Sequence, residues 1–170
     1  MNRRRFSDHP ETAIRIKPHH FVDILTALGR GKTKYSPHPY GHALDRIAGR
    51  ILSAPQTELL IELGADDICA PCAHNIDGIC RDTIDTSYRP EAPRSKLEWN
   101  LLIDHRWCER LGIFENQQLT AGELCLRIRE RAGDITAIYR EIAVERTADR
   151  AVNLKKGVEL YMKGKRTADR

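Results

Sequence analysis

Residues 64–94 constrain the fold most, because they offer no hydrophobic period to fold on. The stretch holds Gly64, Pro71, Gly78, Pro90 and Pro93 among several aspartates. Neither the two-residue alternation of a strand nor the 3.6-residue repeat of a helix runs through it. An irregular stretch this long inside a compact domain is either functional or disordered. Three cysteines point to function. Cys69, Cys72 and Cys80 stand in the spacing C-x2-C-x7-C. A two-residue gap lets two sulfurs turn back on one centre, and Pro71 and Gly78 supply the turns that keep the chain clear. Thiolates favour zinc, copper(I) or iron–sulfur clusters over hard cations. Three of them converging without a cation would repel one another. A bound metal is therefore what orders this stretch.

The flanking sequence supplies the scaffold. Ala13 to Lys17 alternates apolar and basic residues, as a short strand does, and Pro18 ends it. His19 to Leu28 predicts a helix with Phe21, Ile24, Leu25 and Leu28 on one side. Tyr40 to Leu52 predicts a second helix, which Pro55 stops. Glu58 to Leu63 reads as a second strand. Ser95 and Glu98 make a capping box for a helix to Arg110, with Gly112 behind it. Thr120 and Glu123 make another for a helix to about residue 131. Two further helical stretches follow, near 134–145 and 148–163. The fold class is thus α+β: mostly helical, with a short two-stranded sheet and a cysteine-rich metal-binding loop. Residues 1–12 read as a flexible basic leader, 13–131 as the metal-binding domain and 132–170 as a C-terminal helical extension.

Charge and compartment narrow the chemistry. The chain of 170 residues has a net charge of +4, unevenly spread. Residues 58–85 carry seven acids against Arg81, so the cysteine segment is the acidic part of a basic protein. Phosphate-gripping cysteine modules carry their own Lys and Arg, which argues against nucleic acid as a partner. No apolar run approaches the roughly 18 residues of a spanning helix. The basic start lacks the apolar stretch of a signal peptide. The protein therefore reads as cytoplasmic, with no membrane partner. Thiols there stay reduced, so clustered cysteines bind metal or react rather than form disulfides.

The spacing leaves the metal open between zinc and an iron–sulfur cluster. Structural zinc sites have two close ligand pairs, and here Cys80 stands alone. Ferredoxin spacings are not matched either. A fourth ligand could be Cys108, which shares a helix face with Asp104 at i, i+4 and with His105 at i, i+3. His74 lies within the cysteine segment. His19 and His20 open the first helix, with Asp23 one turn on. These five, Asp104, His105, His74, His19 and His20, together with Asp23, are candidates for metal binding or for orienting the ligands. Cys125, between Leu124 and Leu126, reads as core. Trp99 and Trp107 read as core as well.

Arg15-Ile16-Lys17-Pro18-His19-His20, the stretch from Gly29 through Tyr35-Ser36, and Asp66-Asp67-Ile68-Cys69-Ala70-Pro71-Cys72 with Cys80 resemble a family of short uncharacterised bacterial and archaeal proteins described as iron–sulfur binders. The likeness spans roughly residues 13–131. It implies a cluster, of the 4Fe–4S kind, and no established activity. In that family the His pair is followed by two apolar residues and a cysteine. Here Asp23 occupies the cysteine's position, so the fourth ligand must come from elsewhere or from Asp23 itself.

Three functions fit these residues. One is an iron–sulfur protein in electron transfer or cluster-dependent assembly, its acidic surface suited to a basic redox or assembly partner. Another is a zinc-stabilised interaction module. The third is a cluster-dependent enzyme with an open coordination site, flanked by His20, Asp23, Asp104 or His105 as acid and base. No Walker loop, dinucleotide fingerprint or Gly-x-Ser-x-Gly elbow is present.

Overall fold

The computed structural model describes residues 13–168, and their side chains through residue 164. The expected leader, residues 1–12, falls outside the described residues. The fold is α+β, mostly helical, around one hydrophobic core.

Strand β1 (Ile14–Ile16) buries Ile14 and Ile16 completely and turns Arg15 outward. It runs parallel to β2 (Glu58–Ile61), with Ile14 opposite Leu59 and Ile16 opposite Ile61. A parallel pair needs a crossover. Here α1 (Pro18–Gly29) and α2 (Leu44–Ser53) supply it. Pro18 sits in the first turn of α1, where its fixed φ suits the helix and its missing N–H is not needed. α2 starts four residues later than its apolar spacing suggests. Gly41, at φ 71°, breaks the chain before it.

α3 (Lys96–Leu111) begins at Ser95, whose hydroxyl accepts from the Glu98 N–H, and ends at Gly112 in the left-handed region, φ 64°. Trp99 and Trp107 are both core, and the Trp107 indole donates to the Tyr139 hydroxyl at 3.0 Å. A third strand, β3 (Gln118–Thr120), was not expected from the sequence. It pairs antiparallel with β2 and makes the sheet three-stranded, order β1-β2-β3. Its last residue, Thr120, also caps α4 (Ala121–Arg131) through a complete capping box with Glu123.

The expected helix over 134–145 is not formed. Ile135, Ile138 and Tyr139 are buried at helix-like spacing, yet the segment is a run of turns. Side chains of α3 take the carbonyls a helix would use. Arg106 donates to Ile138 O and grips Glu141 with two nitrogens at 2.8 and 2.7 Å. Arg110 donates to Ala132 O and Asp134 O.

The second expected helix, near 148–163, is formed and is longer at both ends: α5 (Val144–Ala168). It packs on α1 at backbone distance. A Cβ on Gly29 would stand 1.8 Å from Asn153 O, and one on Gly157 would stand 1.8 Å from Leu25 O. Leu154, Val158 and Tyr161 enter the common core, and the Tyr161 hydroxyl donates to Ile51 O at 2.8 Å. No helix among the described residues is long and apolar enough to cross a membrane.

Candidate metal centre

The cysteine segment is fastened to β1 by two carboxylates. Among the described residues the outer edge of β1 has no partner strand, and Asp67 and Asp66 take the donors of Arg15 and Lys17 there instead. Arg15 N donates to Asp67 at 2.9 Å, and Lys17 N donates to Asp66 at 2.9 Å. The second oxygen of Asp66 accepts from Cys69 N at 3.0 Å, so the same carboxylate caps the turn that carries the cysteines. Cys72 N donates to Cys69 O at 2.9 Å and closes that turn. A β-hairpin then brings Cys80 back: Asn75–Ile76 pairs with Ile79–Cys80, and Asn75 stands opposite Cys80. Asp77 and Gly78 form its turn, both with positive φ, as a tight hairpin requires. Cys69, Cys72 and Cys80 thereby line one small recess with Lys17 and Asn75. The same three also line a wider cavity of about 360 Å³.

Both histidines of the pair are held by buried carboxylates. His20 Nδ1 lies 2.6 Å from Asp66. His19 Nδ1 lies 2.8 Å from Asp104, whose other oxygen accepts from His19 N at 2.8 Å. A carboxylate on one ring nitrogen fixes the ring and leaves the other for a metal, the usual arrangement around metal-binding histidines. Both rings line the wider cavity, with centroids 4.3 Å apart. His20, Asp66 and Cys69 bring their potential ligand atoms within 4.8 Å of one another.

The electrostatics follow from burial. Burial works against the charge on Asp66, yet His20 and Lys17 hold its carboxyl far below the usual range. Burial and Asp66 push the Cys69 thiol up to about 12, with Lys17 opposing. Without a metal, Cys69 is a neutral thiol. The ammonium of Lys17, a residue only 2% exposed, lies 3.3 Å from its sulfur. Burial also opposes a charged His19, and Asp104 outweighs it and lifts the ring above its ordinary value.

The structure separates the remaining candidates. Asp23 lines the wider cavity but accepts from Arg150 of α5 at 2.5 Å. His74 lines it as well, edge-on to Tyr40 with centroids 4.4 Å apart. Asp104 serves His19. Cys108 lines neither the recess nor the wider cavity. It belongs to the core one turn beyond Asp104, and burial pushes its thiol up to about 11. His105 is exposed and lines neither cavity. Cys125 is core.

Lys17, His38, Tyr40, His42 and Arg150 were not singled out in the sequence. Strand alternation puts Lys17 outside with Arg15, and the turn into α1 brings it in. His38 and His42 stack with centroids 4.0 Å apart, in a loop with no apolar period. That loop is pinned to the cysteine turn by Ala43 N to Ile68 O and Ala73 N to Tyr40 O. The Nδ1 atom of His42 is buried without a hydrogen-bond partner among the described residues. Unlike the α5 contact, the Asp77-Gly78 pair was a readable hairpin signal.

Comparison with known proteins finds no match to any family model, any curated protein or any solved structure.

Proposed function

We propose that this protein is a cytoplasmic iron–sulfur protein whose cluster is held by Cys69, Cys72 and Cys80. The observation that carries this reading is that all three cysteines line one recess, through a carboxylate-capped turn and a two-strand hairpin, with Cys69 in a group whose potential ligand atoms, those of His20, Asp66 and Cys69, lie within 4.8 Å of one another. The donor set fits a soft metal centre. The resemblance of the His pair and the Asp-Asp-Ile-Cys-x-x-Cys element to described iron–sulfur binders adds to it. A bound 4Fe–4S cluster would supply one-electron chemistry. The chain's own residues hold and tune the site. Asp66 caps the cysteine turn, Lys17 offsets the negative charge of the thiolates, and His20 presents its free nitrogen to the cavity. His20 is then the favoured fourth donor, because Cys108 lies in the core and Asp23 is engaged by Arg150. The acidic cysteine segment suits a basic redox partner.

A zinc site on the same cysteines with His20 or His74 is the second reading, favoured by the standard Cys3His donor set. Anaerobic purification separates the two. A brown protein with iron and acid-labile sulfide, losing both in Cys69→Ala, Cys72→Ala and Cys80→Ala but keeping them in Cys108→Ala, is the expected result. A colourless protein with stoichiometric zinc would replace the cluster with the zinc reading.

A further inference from the structure

A second cavity, of about 490 Å³, opens beside the cysteine cavity and shares Arg89, Ile142 and Arg150 with it. Four guanidinium groups line it: Arg30, Arg89, Arg146 and Arg150. Only two carboxylates, Glu145 and Asp149, share the lining. Two of the arginines have acidic partners. Arg30 pairs with Asp149 at 2.7 Å and Arg150 with Asp23 at 2.5 Å. Arg89 and Arg146 have none within ion-pair distance among the described residues.

These two are nevertheless held close together. Both lie against the ring of Tyr88, at 4.8 and 4.4 Å from its centroid. Arg89 is fixed further by the Asp85 carbonyl at 2.9 Å and by the Trp99 ring at 5.0 Å. The Asp85 carboxylate accepts from Ser87 N at 2.8 Å and feels the charge of both arginines, without reaching ion-pair distance of either. One carboxylate, Asp85, faces these two cations, so an anion in the cavity they line would complete the balance of charge. The first turn of α5 forms another wall, through Glu145, Arg146 and Thr147, and presents the positive end of a long helix.

We propose that this cavity binds the phosphate group of a small molecule, whose remainder extends past Arg89 and Arg150 into the cysteine cavity. Several converging guanidinium forks suit a phosphate, with its three or more oxygens, better than a carboxylate, which one fork satisfies. The recess suits a small molecule. The phosphate site stands on its own residues. Only the placement of the remainder rests on the metal-centre reading.

Inorganic pyrophosphate titrated into the purified full chain by calorimetry tests the site, with citrate as the carboxylate probe. Iron and zinc are measured in every sample. The expected result is one pyrophosphate bound per chain, at least tenfold weaker binding in Arg146→Glu and in Arg89→Gln, and unchanged binding in Arg46→Gln on the exposed face of α2. Arg146 is exposed, so its replacement leaves the fold intact. No pyrophosphate binding by the wild type, binding retained by both variants, or tighter binding of citrate would each overturn the proposal. Metal content that stays constant across the variants keeps this outcome separate from failure of the metal-centre reading.

Discussion

Asp66→Asn tests whether one carboxylate ties the cysteine turn to the sheet. Asp66 is 1% exposed and meets three groups: Lys17 N at 2.9 Å, Cys69 N at 3.0 Å and His20 Nδ1 at 2.6 Å. An asparagine has a single acceptor oxygen. If that oxygen faces Lys17 and His20, the amide N–H groups face the Cys69 N–H, and the reverse placement leaves Lys17 N facing a donor. Hydrogen bonds to a charged group contribute about 1.5–3 kcal/mol each, and a stranded buried donor costs about 1–3 kcal/mol. The variant should therefore lose about 3–5 kcal/mol. With a urea slope of about 2 kcal/mol/M, the unfolding midpoint falls by roughly 1.5–2.5 M. Asp67→Asn is the comparator, because among the described residues the Asp67 carboxylate accepts only from Arg15 N, and Asp67 is half-buried. It should lose about 1 kcal/mol. The assay is urea unfolding of reduced, chelator-treated protein, followed by circular dichroism. Equal midpoints for the two variants, or a fall of less than about 0.5 M for Asp66→Asn, would refute the reasoning.

Two glycines should respond with opposite signs. Gly157→Ala drives a methyl into Leu25 O and must push α5 off α1, lowering stability by about 3 kcal/mol or more. Gly49→Ala, inside α2 with open space around it, should raise stability by about 0.5–1 kcal/mol, read from the same unfolding curves. The acid limb of the stability profile should depend on Glu141. Its hydrogen bonds to Arg106 hold its folded carboxyl below the ordinary value, so its contribution is present above the unfolded value and is lost as pH falls through the folded one. Glu141→Gln should flatten the decline in urea midpoint between about pH 6 and pH 3, and an unchanged slope would exclude this role.

Local chemistry is what the sequence made legible. The Thr120–Glu123 box, the Ser95 cap and Gly112 each act within four residues, so spacing alone reveals them. The three cysteines and the His pair stood out by residue type, and the fold brings all five to one cavity. What escaped depends on distant partners. Ile135, Ile138, Tyr139 and Ile142 carry a helical period, and only Arg106 and Arg110, more than twenty positions earlier, show which side chains take the carbonyls such a helix would use. Lys17 looked like the outward member of a strand until α1 turned it toward Cys69. Cys108 had the spacing of a ligand on the same helix as Asp104, yet one turn of helix carries it from the His19 contact into the core. The order of assignment between Asp66 and Asp67, one buried and one half-exposed, is likewise invisible in two adjacent identical letters.

The crossing of α1 and α5 at Gly29 and Gly157 has a kinetic consequence. Its partners stand well over a hundred positions apart, so the contact closes a very large loop, and such closures are slow. The cysteine turn and hairpin, by contrast, close within about a dozen residues. The local turn and hairpin that carry the thiols can therefore form while Asp23 still awaits Arg150. The cavity wall that Asp23 and Arg150 build together arrives last, after every other described element has left the ribosome. Until α5 docks, the Asp23–Arg150 pair cannot close that side of the cavity that Cys69, Cys72 and Cys80 line.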